Sequence, residues 1–132
     1  MLKIAYIGKL NQTNGIISEA INTSYGADIT FYEPTDVFSQ PSTLTDELLD
    51  LVIVDLNTSL GLGNAPDNIQ RLNQQIPTSP LLVLHPYENN KLIEPLVEAG
   101  ANSIIPITPT EEELFQAINK ALNNDSFIIY PE

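Results

Sequence analysis

Short apolar runs alternate along the chain with stretches whose apolar residues recur every three or four positions. The runs at 2–7, 29–32, 51–54, 81–84 and 103–107 are rich in β-branched residues and show no polar alternation. That pattern predicts five strands of a parallel sheet covered on both faces. Between them, Ile16, Ile17, Ala20 and Ile21 predict a first helix ending before Gly26. Leu44, Leu48 and Leu49 mark a short second one, and Ile69, Leu72 and Ile76 a third, stopped by Pro77. Leu92, Ile93, Leu96 and Val97 mark a fourth, with Gly100 where a helix C-terminal glycine belongs. Pro95 lies within that stretch, so this helix is expected to be kinked, or short with Pro95 in its first turn.

The fifth helix is the best specified. Thr110 followed by Glu113 reads as a capping box, and glutamates at 111–113 suit the positive end of the helix dipole. Leu114, Ala117, Ile118, Ala121 and Leu122 then recur at helical spacing. Strict strand–helix alternation predicts an α/β fold with a doubly wound, five-stranded parallel sheet. One domain over 1–132 is expected, with a core at 1–123 and a tail at 124–132.

Charge narrows the function. Seventeen acidic residues against five Lys and Arg give a formal net charge of −12. Such a surface repels phosphate backbones and anionic lipid, which argues against direct nucleic-acid or membrane binding. The chain has no cysteine, hence no disulfide, thiolate nucleophile or Cys-ligated zinc. No apolar run is long enough to span a bilayer, and Met1-Leu2-Lys3-Ile4-Ala5 reads directly into a strand. A cytoplasmic domain is the expectation. Gly61-Leu-Gly63 lacks the rest of a dinucleotide fingerprint, and 59–63 reads as an ordinary loop. Tyr6 and Tyr32 read as core residues on strands, and Tyr130 as a seal toward a following segment.

Two segments carry a family likeness. Leu51-Val-Ile-Val-Asp55-Leu-Asn is a buried strand ending in aspartate, and Leu96-Val-Glu-Ala-Gly100-Ala-Asn is a helix end before the last strand. With the strand–helix alternation, they resemble receiver domains of bacterial two-component response regulators, over essentially the whole chain. Gly100-Ala-Asn-Ser-Ile, Thr108-Pro-Thr-Glu-Glu-Glu-Leu114 and the segment from Ala121 to Pro131-Glu resemble the end of NarL/FixJ-type receivers. The resemblance implies the CheY-like, flavodoxin-like (βα)5 strand order 2-1-3-4-5. It also implies a tail that leads to a helix-turn-helix DNA-binding domain, unless the protein is free-standing.

Receivers accept a phosphoryl group on an aspartate at the carboxyl end of the central strand, with a divalent cation offsetting charge. The resemblance puts Asp55 at the acceptor position. The acidic pair that holds the cation falls on Gly8 and Lys9, the strand-ending hydroxyl on His85, and the phosphoryl-binding lysine on Ile107. The aromatic switch falls on Ile104. One carboxylate makes a poor octahedral site, so Mg²⁺ binding is expected to be weak or absent and no cofactor is implied. Lys9 is expected to pair with Asp55 in place of the metal. His85, the only histidine, is the one side chain with an ordinary pKa near neutrality.

The leading expectation is a pseudo-receiver: not an enzyme, but a signalling and dimerisation module working without phosphorylation. Its partners would be a sensor kinase or an output domain. The resemblance offers residues 89–122 (fourth helix, fifth strand, fifth helix) as a homodimer interface. Two alternatives stay open: an active but atypical acceptor at Asp55, and a small-molecule sensor using a pocket beneath His85 and Asp55.

Overall fold

A computed structural model describes residues 2–39, 49–56 and 64–131. The elements run β1 (Lys3–Ile7), α1 (Gln12–Tyr25), β2 (Asp28–Tyr32), α2 (Pro34–Ser39), β3 (Leu51–Asp55), α3 (Ala65–Gln75) and β4 (Leu81–His85). A 3₁₀ turn at Asn90–Leu92 then leads to α4 (Glu94–Glu98), β5 (Ser103–Pro106), α5 (Glu111–Leu122) and β6 (Phe127–Ile128). All strand pairs are parallel, in the order β2-β1-β3-β4-β5-β6. The five expected strands keep their expected order. A sixth strand, β6, goes beyond the expected five and lies within the 124–132 tail. Phe127 and Ile129 donate their backbone N–H groups to Asn102 and Ile104 at 3.1 and 2.9 Å, which seats the tail on the outer edge of β5.

β3 and β4 are fully buried, as their unbroken apolar runs require. Their side chains divide by the pleat into two cores. Leu51, Ile53, Leu82 and Leu84 face α1 and α5, packing with Ile17, Ile21, Leu114 and Ile118. Val52, Val54, Leu81 and Val83 face the other helices, packing with Val37, Ile69, Leu72 and Leu96.

The helices end where their sequences say. α4 begins at Glu94, with Pro95 in its first turn and only five residues in all, so the proline removes no interior hydrogen bond. Thr110 Oγ1 accepts from the Glu113 N–H at 3.1 Å, and Glu113 Oε1 accepts from the Thr110 N–H at 2.8 Å. Thr110→Ala removes half of this reciprocal cap and is expected to lower stability by about 1 kcal/mol, read as a shifted denaturant midpoint. α2 occupies 34–39, a helix the apolar spacing did not indicate. Of the second helix expected from Leu44, Leu48 and Leu49, the first two positions lie outside the described residues, as does the loop reading at 59–63. Leu49 packs on the core from a non-helical position. No helix among the described residues is long and apolar enough to cross a membrane.

Candidate functional site

Parallel α/β sheets gather chemistry at the carboxyl ends of their strands. There Asp55 closes β3, only 5% exposed. The register aligns Tyr6 of β1 with Ile53, two residues before Asp55, so Tyr6 and Asp55 share one face of the sheet. The long tyrosine side chain spans that offset. Its hydroxyl donates to Asp55 Oδ2 at 2.8 Å, and its ring lies 4.6 Å from that of Phe31. Tyr6 has no solvent exposure. Burial, then the Asp55 charge and hydrogen bond, push its phenol far above the ordinary range, with Asn14 opposing weakly. The phenol therefore stays protonated and keeps donating.

Asn14 is the third member. It sits in the first turn of α1, where Asn11 and Asn14 cap each other: Asn11 Oδ1 accepts from Asn14 N–H, and Asn14 Oδ1 from Asn11 N–H. Its amide Nδ2 then donates to the Lys9 carbonyl at 2.9 Å and reaches Asp55 Oδ2 at 3.4 Å. One buried asparagine thus ties the β1–α1 loop to the carboxylate. Sequence reasoning missed both neutral donors. Tyr6 reads in the sequence as a core residue, and only the register of β1 on β3 reveals that its hydroxyl meets Asp55. Asn11 and Asn14 did carry a signal, the three-residue spacing of a reciprocal cap ahead of Ile16 and Ile17.

The remaining positions are spread over both faces. Gly8 and Lys9 lie in the loop after β1; the Gly8 N–H donates to the Tyr32 carbonyl at 3.0 Å, and the Lys9 side chain is exposed. Ile107 follows β5 and packs on the Asp55 side. Ile104 and His85 are on the opposite side: Ile104 is fully buried in the α3–α4 core and pairs with Val83, two residues before His85. The His85 and Asp55 side chains therefore leave the sheet on opposite faces and do not line one pocket. His85 Nδ1 accepts from the Tyr87 N–H at 3.1 Å, and the two rings stack 6.0 Å apart. Burial pulls the imidazole below its ordinary value, opposed by backbone groups of Ile129 and Tyr87. Tyr130 is 41% exposed and donates to Glu94 Oε1 at 2.9 Å, fastening the tail to α4. No group of three or more His, Cys, Asp or Glu stands together among the described residues.

Solved structures share this architecture throughout. The non-phosphorylated receiver domain of the stress response regulator RcsB from Escherichia coli superposes with a TM-score of 0.77 at 13% identity, over 97% of this chain and 98% of that one. A LuxR family DNA-binding response regulator from Silicibacter pomeroyi gives 0.74 at 17%, over 98% and 97%. A response regulator from Thermotoga maritima gives 0.69 at 20%, over 93% and 98%. The chain has the response-regulator receiver fold. No family model matches the sequence, and no curated protein matches it.

Proposed function

We propose that this chain is a receiver-like signalling module that works through protein contacts, without phosphorylation of Asp55. The observation that carries this reading is the buried Tyr6 hydroxyl, 2.8 Å from Asp55 Oδ2. A nucleophilic carboxylate must present a free oxygen lone pair to phosphorus, beside a cation that offsets the incoming charge. Here a permanent donor engages one oxygen, with Asn14 beside it. Mg²⁺ needs near-ideal octahedral oxygen coordination. Gly8 and the Lys9 side chain supply no such oxygens, so this donor set does not fit the ion. The exposed Lys9 ammonium, a standing positive charge on the same loop, takes the cation's electrostatic role toward Asp55.

The partners on this reading are a sensor kinase, an output domain or a second copy, met through residues 89–122. β6 covers the outer edge of β5, so such pairing uses the faces of α4 and α5 and the tail rather than a bare strand edge. With a net charge of −12, contact with DNA falls to an output domain, and the module is cytoplasmic. The position of Asp55 at the end of the central strand favours the rival reading of a slow, atypical acceptor. Titration with Mg²⁺, with and without beryllofluoride, separates the two by backbone amide NMR. No shift near Asp55 up to millimolar Mg²⁺ is the expected result. A response that vanishes in Asp55→Asn would establish a live acceptor and overturn the proposal.

A further inference from the structure

We propose that the outer edge of β2 is a docking site for an extended, basic segment of a partner protein, which joins the sheet as a further strand. This edge lies at the opposite end of the sheet from β5 and β6, away from residues 89–122, and its use does not depend on Asp55.

The register defines the edge. β2 runs parallel to β1 without a bulge, from Lys3 beside Asp28 to Ile7 beside Tyr32. The Asp28 N–H donates to the Leu2 carbonyl at 2.7 Å, and the Gly8 N–H donates to the Tyr32 carbonyl at 3.0 Å. In a parallel ladder alternate residues bond the same neighbour, so Asp28, Thr30 and Tyr32 turn their backbone groups to β1. Ile29 and Phe31 turn theirs outward, each with one N–H and one C=O. Among the described residues no strand lies beyond β2. Such edges are normally blunted by a proline, a bulge or charged side chains. Here Pro34 comes only after the strand has ended. Asp28, the one charge on β2, stands at its first position and is held by Lys3 at 2.7 Å.

The side chains beside this edge suit a basic residue. Ile29 and Phe31 pack toward α1. The short polar residues Ser18 and Asn22 of α1 stand beside them, which leaves an open cleft of about 430 Å³ with Glu19 on its wall. A side chain of the added strand that enters the cleft meets apolar surface first and a carboxylate beyond it. Lysine and arginine match that order, with an aliphatic stem below a cationic head. Glu19 is exposed and forms no ion pair among the described residues.

Charge decides between such a segment and a second copy of the chain. Two β2 edges could pair antiparallel about Thr30, with Ile29 opposite Phe31. Each copy, however, carries a net charge of −12, and Glu19, Glu33 and Asp36 flank the edge as exposed acids. Two such edges repel each other, whereas a basic segment is drawn in. Its backbone bonds to Ile29 and Phe31 then supply affinity, and its alternate side chains supply selectivity.

The test titrates the full chain with a capped peptide of about eight residues that alternates lysine and valine. By NMR, the Ile29 and Phe31 amides should shift, and their exchange with solvent should slow by about tenfold or more at saturation. Amides of α4 and α5 should stay still. Binding should weaken as salt is raised. Glu19→Gln should weaken it about two- to fivefold, the scale of an exposed ion pair. A peptide alternating glutamate and valine should not bind. Nor should the lysine peptide with every backbone nitrogen methylated, which keeps its charge but cannot pair with a strand. Equal binding of the methylated peptide would reduce the contact to charge alone and overturn the proposal. An absence of shifts at Ile29 and Phe31 up to millimolar peptide also overturns it, as does an unchanged affinity in Glu19→Gln. Concentration-dependent shifts of those two amides without peptide would assign the edge to a second copy, and the basic partner would fall.

Discussion

Tyr6→Phe is expected to lower the free energy of unfolding by about 2 kcal/mol, the usual scale for losing a hydrogen bond to a buried charged group. The substitution deletes one oxygen. The ring keeps its place beside Phe31, so no cavity term enters. What changes is the surroundings of a carboxylate that is 5% exposed and loses a neutral donor at 2.8 Å. Were Tyr6 only a core residue, the same change would be close to neutral, because an isolated buried hydroxyl contributes little. Chemical denaturation of Tyr6→Phe, Asp55→Asn and the double variant decides between these. A coupling of about 1–3 kcal/mol shows that the pair acts as a unit, and additivity shows that it does not. The same variants bear on function. Tyr6→Phe removes one donor from Asp55 Oδ2, which Asn14 still reaches, and restores no cation ligand at Gly8 or Lys9. On the proposed reading it therefore stays silent to beryllofluoride.

How far the sequence could be read depended on the range of the interaction. The two-faced core follows from short apolar runs, which leave a strand no choice but burial on both sides, whereas the strand order came from the family resemblance. The cap of α5 was legible because both its halves, Thr110 and Glu113, lie within one turn. Pro95 was legible as an irregularity, and its position in the first turn of α4 follows from the ring's tolerance there. The tail misled for a physical reason. Two residues carry too little periodicity to announce a strand, and Phe127 and Ile128 pair only because β5 already offers an open edge.

The site divides in the same way. Asp55 could be found from the strand that ends in it. Tyr6 could not be linked to it, since the contact spans 49 positions and exists only through the β1–β3 register. His85 and Asp55 look alike in sequence, each a polar residue closing an apolar strand. The pleat nevertheless sends them to opposite faces, because Asp55 pairs with Leu84 rather than with His85. A pocket shared by the two was a reasonable expectation from strand ends alone, and a one-residue difference in register removes it.

Gly100→Ala is expected to destabilise the fold by about 2–4 kcal/mol, from backbone strain and steric conflict acting together. Gly100 closes α4 in a Schellman arrangement. Its N–H donates to the Val97 carbonyl at 3.1 Å, and that of Ala101 to the Leu96 carbonyl at 3.2 Å. This requires φ of +114°, a region that side-chain-bearing L residues rarely enter. A methyl group there would also stand 2.7 Å from Asn73 Nδ2 and 2.8 Å from Asn73 Cγ, on the helix packed against α4. The two contributions separate experimentally. Asn73→Ala in the Gly100→Ala background removes the nearest atoms and should recover the steric part, leaving the strain of positive φ, about 1–3 kcal/mol. Equal stability of Gly100→Ala and the parent in urea would show that this junction does not need glycine. The junction matters because α4 has only five residues and depends on its C-terminal turn for alignment with β5. Both belong to the surface proposed above for partner binding. The variant should therefore weaken self-association, measured by sedimentation at fixed concentration, at temperatures where the chain is still folded.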